Sequence, residues 1–197
     1  MEKDSTDYTL NPELLVSAYS QGYFPMPDEN QTDILWFRPD PRAIIPLDQF
    51  HASRSLKKKI RQGRFEVTFN QEFLQVIEAC GEDRETWITQ EFKDVYFEMH
   101  RLNFAHSVEI WEQSKLVGGT YGVCLGGAFF AESKFHRSTD ASKLALYYLV
   151  ERMKSKGMEL LECQFLTPHL ESLGAMAISD HEYIIRLRKA LQLETEF

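Results

Sequence analysis

The chain reads as an α+β protein, a small N-terminal α/β domain (residues 1–62) packed on a larger domain (residues 63–197) that carries the main sheet. Three observations predict this. Between His106 and Phe135 three segments alternate with the two-residue period of strands and are joined by the short polar turns Gln113-Ser114-Lys115 and Gly126-Gly127. Segments on either side carry apolar residues at helical spacing, such as Phe92, Val95, Tyr96 and Met99. The 197 residues, 43% hydrophobic and 26% charged, are enough to bury a full core.

In chain order, Asn11 as N-cap, Pro12 at the first helical position and Leu14, Leu15 and Ala18 predict a helix over 12–21 that stops at Gly22. Tyr23-Phe24-Pro25-Met26-Pro27 is a rigid extended segment, and Ile34 to Phe37 a short strand broken by Pro39-Asp40-Pro41 and resumed at Ala43-Ile44-Ile45. A basic helix covers 53–62, a strand covers Phe65 to Phe69, and Asn70 caps a helix running to Cys80. Gly81-Glu82-Asp83-Arg84 is a loop before a helix from Gln90 to Leu102. After the meander comes a long helix with Asp140 as N-cap and Leu144, Leu146, Leu149, Val150 and Met153 inward, closing at Gly157. Leu160 to Gln164 is a strand with Glu162 and Gln164 on one face and Cys163 on the other. Helices entered through Pro168 and at about His181 complete the chain.

Charge narrows the function classes. The net charge of −8 repels polyanions, so contact with nucleic acid needs a local patch. One is present: Arg54, Lys57, Lys58, Lys59, Arg61 and Arg64, with no acid among them. Taken alone it equally describes a solvated helix face. Cys80, Cys124 and Cys163 form no CxxC pair, and His51, His100, His106, His169 and His181 show no paired ligand spacing, so neither a disulfide framework nor a metal is expected. With no signal-like start and no long apolar run, the expectation is a cytoplasmic protein away from membranes.

A series of words in fixed order carries a resemblance: Gly22-Tyr23-Phe24-Pro25-Met26, Trp36-x-x-Pro39-Asp40-Pro41-Arg42, Thr86-Trp87-Ile88-Thr89, His106-Ser107-Val108-Glu109-x-Trp111, Glu132-Ser133-x-Phe135, Asp140-Ala141-Ser142-Lys143 and Cys163-Gln164. Together they resemble the leucyl/phenylalanyl-tRNA:protein transferases. The strand, strand, strand, helix, strand, helix order is similar to the GNAT acyltransferase core.

The resemblance implies transfer of an aminoacyl group, Leu or Phe in the family, from aminoacyl-tRNA to the N-terminal amine of acceptor proteins beginning with Arg or Lys. This is aminolysis of an activated ester by a monomer without cofactor. It implies that Glu162 with Gln164 orients and deprotonates the amine, that Glu132 favours a basic N-terminal residue, that Met26 and Trp87 contact the terminal adenosine, and that the basic patch holds the acceptor stem.

Several positions depart from the family pattern. Glu162 stands where the family has Asp. Asp7-Tyr8-Thr9-Leu10 lacks the family's Gly-Gly-Asp-Leu, and Ile178-Ser179-Asp180 replaces Ile-Pro-Arg. In the expected aminoacyl pocket Thr120 and Lys134 replace methionines and His136 a small polar residue, while Leu146, Leu149, Met153 and Leu161 keep it apolar. Lys134 is expected either to pair with Glu132 or Glu162 or to meet a polar aminoacyl side chain. Two other readings stay open, a divergent paralogue with altered aminoacyl specificity and a catalytically weak tRNA-binding module. An acyl-CoA enzyme is disfavoured because Phe135 to Asp140 lacks the glycines of a pyrophosphate loop.

Overall fold

The computed structural model describes residues 10–28, 33–82 and 87–197. The expectations placed on Asp7, Tyr8 and Thr9, on Asp83 and Arg84, and on Thr86 lie outside those residues.

Helix α1 (Pro12–Ser20) starts as expected, with the Asn11 side chain accepting from the Leu14 amide at 2.9 Å. Strands β1 (Phe24–Pro27) and β2 (Ile34–Phe37) pair antiparallel as a separate two-stranded sheet, so the extended Pro-rich segment is half of a hairpin. The remaining strands are β3 (Arg42–Ile45), β4 (Glu66–Phe69), β5 (Ala105–Glu112), β6 (Lys115–Leu125), β7 (Ala128–His136), β8 (Leu160–Glu162) and β9 (Met176–Ile178). They form one sheet of order β4-β5-β6-β7-β8-β3-β9, in which β7–β8 is the parallel pair and the other neighbours are antiparallel. The predicted α+β class and the meander are as expected.

Helices cover both faces. Residues of α1, α3 (Phe73–Cys80), α4 (Gln90–Arg101) and α7 (Asp180–Leu191) pack with Tyr121 and Phe130 in one core cluster. Residues of α2 (Arg54–Gln62) and α5 (Ala141–Ser155) pack with Val108, Phe129 and Leu161 in the other. The short α6 (Pro168–Glu171) lies between β8 and β9 in the chain.

Three sequence expectations need correction. A domain division at residue 62 would assign β3 to the N-terminal unit, yet β3 is an internal strand, with Ile44 opposite Glu162 on one side and Met176 on the other. Its four residues are all buried, as a strand covered on both faces requires. Asn70 does not cap α3. It adopts a left-handed φ of 60° and its side-chain oxygen accepts from the Ser107 amide, pinning β4 to β5. Asp140 is the N-cap of α5 as expected, with its carboxylate on Lys59 at 2.7 Å and Lys143 at 2.9 Å rather than on a helix amide. Strand β8 ends at Glu162, because Gln164 has φ of 62°, so strand alternation does not extend to Gln164 and Cys163 is not directed away from the site.

Candidate active site between two diverging strands

Strands β7 and β8 are paired only from Ala128–Leu160 to Phe130–Glu162. Beyond that point they separate. Parallel strands that part leave unpaired backbone and room between the helices above and below, and here a cavity of about 190 Å³ opens. Its wall includes Thr120, Ala131, Glu132, Lys134, Leu146, Cys163, Gln164, Phe165 and Leu170. An apolar cavity of about 150 Å³ accepts a benzene ring, so this one has the size of a Leu or Phe side chain.

The pairing of β6 with β7 shifts register beside the cavity: Tyr121 faces Ser133 but Gly122 faces Ala131, leaving Glu132 as the extra residue of a bulge. A bulge reverses the alternation. Glu132 therefore points to the α1/α4 side, where its Oε1 accepts from the Tyr19 hydroxyl at 2.6 Å and its Oε2 from the Gln164 amide at 3.1 Å. Phe135 joins the same core cluster, so Lys134 and His136 lie on the α5 side. Gly122 makes the bulge possible, because a Cβ there would collide with the Phe130 carbonyl.

The carboxylates occupy unlike settings. Glu132 is 7% exposed and burial pushes its carboxyl up to about 8, the hydrogen bond from Tyr19 opposing the rise and the nearby Glu162 adding to it. The Tyr19 hydroxyl lies 2.6 Å from that of Tyr96, and burial raises both phenols. Glu162 is 1% exposed and does not line the cavity. Its Oε1 accepts from Arg42 at 2.9 Å and from the Gln164 backbone amide at 2.8 Å. Burial raises its carboxyl and Arg42 opposes that.

Arg42 is itself 1% exposed, donates a second bond to the Gly22 carbonyl and lies over the Tyr183 ring at 4.4 Å. Gln164 is thus held twice, by Glu162 through its backbone and by Glu132 through its side chain.

Of the expected site residues, Glu132, Gln164, Thr120, Lys134 and Leu146 meet at the cavity. Leu149, Met153 and Leu161 are fully buried behind it in the α5 core cluster, and His136 lines a neighbouring groove. Met26 and Trp87 are half-buried against the opposite core cluster, Trp87 edge-on to Phe92 at 5.3 Å. Lys134 forms no ion pair with Glu132 or Glu162, since the bulge separates it from the first and Arg42 occupies the second. In the basic patch Lys59 is tied to Asp140 and Arg64 to Glu112, while Arg54, Lys57, Lys58 and Arg61 are exposed. Sequence reasoning missed Tyr19, Tyr96 and Arg42. The two tyrosines look like ordinary core positions, whereas Arg42 closes the Pro39-Asp40-Pro41-Arg42 word and could have been chosen.

Comparison with known proteins adds to this geometry. Residues 44–188 match the family model described as leucyl/phenylalanyl-tRNA protein transferase, and residues 8–40 match the model of its N-terminal domain. The chain belongs to the leucyl/phenylalanyl-tRNA protein transferase family. Curated leucyl/phenylalanyl-tRNA--protein transferases include that of Herpetosiphon aurantiacus, 49% identical over 95% of this chain and 98% of its own length. That of Gloeobacter violaceus is 47% identical over 96% and 98%, and that of Ruegeria pomeroyi 45% identical over 96% and 90%. The two family models meet between residues 40 and 44, at the start of β3. Among solved structures the likeness is remote: a GCN5-related N-acetyltransferase from Kribbella flavida has 11% identity and TM-score 0.44, over 86% of this chain and 62% of that one.

Proposed function

We propose that this member of the family transfers an aminoacyl group from aminoacyl-tRNA to the N-terminal amine of an acceptor protein beginning with Arg or Lys, working as a monomer in the cytoplasm. The aminoacyl side chain enters the cavity between β7 and β8, and the ester lies at its mouth. The acceptor amine attacks the ester carbonyl, the bond to the ribose oxygen breaks, and that oxygen leaves with a proton.

Glu132 takes the proton that the amine must lose. This is the observation that carries the reading: a carboxyl on the cavity wall, pushed by burial to about 8, matches an α-amine of about 7.7 to 8.0, so the proton passes between them with little cost in either direction. Gln164 orients Glu132 through its side chain. Glu162 serves as a positioning residue: the extra methylene relative to Asp reaches the Arg42 guanidinium and the Gln164 amide. Before it takes the proton, the deprotonated Glu132 carboxylate favours an acceptor with a basic first residue. Trp87 and Met26 contact the terminal adenosine, and the exposed basic residues of α2 hold the acceptor stem.

A transfer assay with tRNA charged with each amino acid in turn, against peptides beginning with Arg, Lys or Asp, tests this. Transfer to the Arg and Lys peptides with Glu132→Gln reduced at least 10²-fold is the expected result. Transfer unaffected by Glu132→Gln overturns the assignment of the base, and no transfer with any charged tRNA, alongside intact RNA binding, would favour a binding module.

A further inference from the structure

The wall of the cavity is apolar in one part and charged in another. Ala131, Leu146 and Leu170 make the apolar part, with Leu149 and Leu161 buried behind it. On the α5 side of β7 the bulge leaves Lys134 on the cavity wall, half-buried, with Thr120 opposite it across the β6–β7 pair. The Thr120 hydroxyl donates to the Ser133 carbonyl at 2.8 Å, so its proton is taken, and the ammonium beside it carries donors only.

That ammonium has no ion-pair partner among the described residues. Acids of the neighbouring elements are engaged elsewhere. Glu132 is turned to Tyr19 and Gln164, Glu162 takes Arg42, Asp140 takes Lys59 and Lys143, and Glu82 takes Arg137. The charge is nonetheless felt across the cavity. Burial raises the Cys163 thiol, Glu162 adds to the rise and Lys134 opposes it; burial lowers the His169 imidazole and Lys134 adds to that. Cys163 follows β8 and His169 belongs to α6, so the Lys134 charge acts on the side of the cavity facing β7.

A cation drawn partly out of water is costly unless a partner meets it. A Leu or Phe side chain entering the cavity covers the ammonium and offers it no acceptor. A carboxylate on a short methylene stem matches both parts of the wall, and a glutamyl side chain is close enough to leucyl in size to enter about 190 Å³.

Resting on the aminoacyl transfer proposed above, we propose that the cavity selects an acidic aminoacyl group, glutamyl foremost, whose methylenes lie on Leu146 and Leu170 and whose carboxylate takes the Lys134 ammonium. Glutaminyl has the same shape without the charge, so the pair of them separates charge from fit.

Two measurements test the inference. The first is calorimetric binding of 3′-amino-3′-deoxyadenosine carrying an amide-linked glutamyl, glutaminyl or leucyl group, which cannot react. The second is transfer to an Arg-starting peptide from tRNA charged with Glu, Gln, Leu or Phe. The glutamyl analogue is expected to bind about 10–100-fold more tightly than the glutaminyl one, the range of one charge-assisted hydrogen bond, and transfer is expected to follow the same order. In Lys134→Met that gap closes and the leucyl analogue binds best, which also shows that the variant is folded. In Lys134→Arg the gap remains.

Leucyl or glutaminyl groups that match or exceed glutamyl in the unmodified protein overturn the inference, as does a glutamyl preference that survives Lys134→Met. Preferred transfer of Leu or Phe leaves the function standing and removes the acidic pocket. Tighter glutamyl binding without transfer of any amino acid keeps the pocket and overturns the function. Failure of all the analogues to bind, with no transfer, overturns both.

Discussion

Replacing Glu132 by Gln keeps the shape of the side chain, its acceptor for Tyr19 and, with Gln164 turned over, its partner there, but removes its titration. The carboxyl is near 4.5 in the unfolded chain and about 8 in the folded protein. Between those values the native state holds a proton that the unfolded state has released, so stability falls as pH rises, by about 1.4 kcal/mol per pH unit. It is complete below the unfolded value and the loss is finished above pH 8. From pH 5 to pH 7.5 the group accounts for a decline of roughly 3 kcal/mol, about 6–12 °C in melting temperature for a chain of this size.

Glu132→Gln does not suffer this decline. Melting of both proteins at half-unit steps from pH 5 to 8, taken as the difference between them so that all other groups cancel, is the measurement. The variant is expected to gain on the parent steadily as pH rises. A difference that stays flat across the range would refute the argument that burial raises this carboxyl, and with it the matching of Glu132 to the acceptor amine.

Three further outcomes follow from the site. Arg42→Met leaves the Glu162 carboxylate buried without its cation and is expected to lose about 3–5 kcal/mol in urea unfolding at pH 7, most of it recovered when Glu162→Leu is added, since an apolar pair replaces a buried ion pair at little cost. Lys134→Met removes from the cavity wall an ammonium without an ion-pair partner among the described residues and is expected to raise kcat/KM for Leu and Phe transfer by roughly tenfold relative to polar aminoacyl groups; equal selectivity in the two proteins would show that Lys134 does not face the aminoacyl side chain. Gly174→Ala, at a φ of 94° with the Gln49 carbonyl against the would-be Cβ, is expected to lower the melting temperature by several degrees through strain in the turn after α6.

The sequence carried the meander, the helices and the membership of the family, because periodicity and capping are local and the motif words recur in order. It did not carry the place of β3. Arg42-Ala43-Ile44-Ile45 reads as the continuation of β2, and nothing within four residues says that its partners are residues 161–162 and 176–178. Glu132, Gln164 and Lys134 were legible as site residues, but their relations were not. By strand alternation Glu132 and Lys134 share a face and can pair, and Glu162 and Gln164 share a face with Cys163 on the other.

What the amino-acid sequence by itself determined is therefore the inventory: which strands and helices form, which family the chain belongs to, and which acids, amide and basic residues are available for chemistry. The tertiary structure alone decided which of the acids meets the cavity. The one-residue bulge at Glu132 turns that carboxyl toward Tyr19 and sends Lys134 to the other side of the sheet, and the left-handed turn at Gln164 ends β8 and clamps the amide between two carboxylates. Both are departures from regular strand geometry, set by pairing with strands far away in the chain, where Arg42 also arrives to neutralise Glu162.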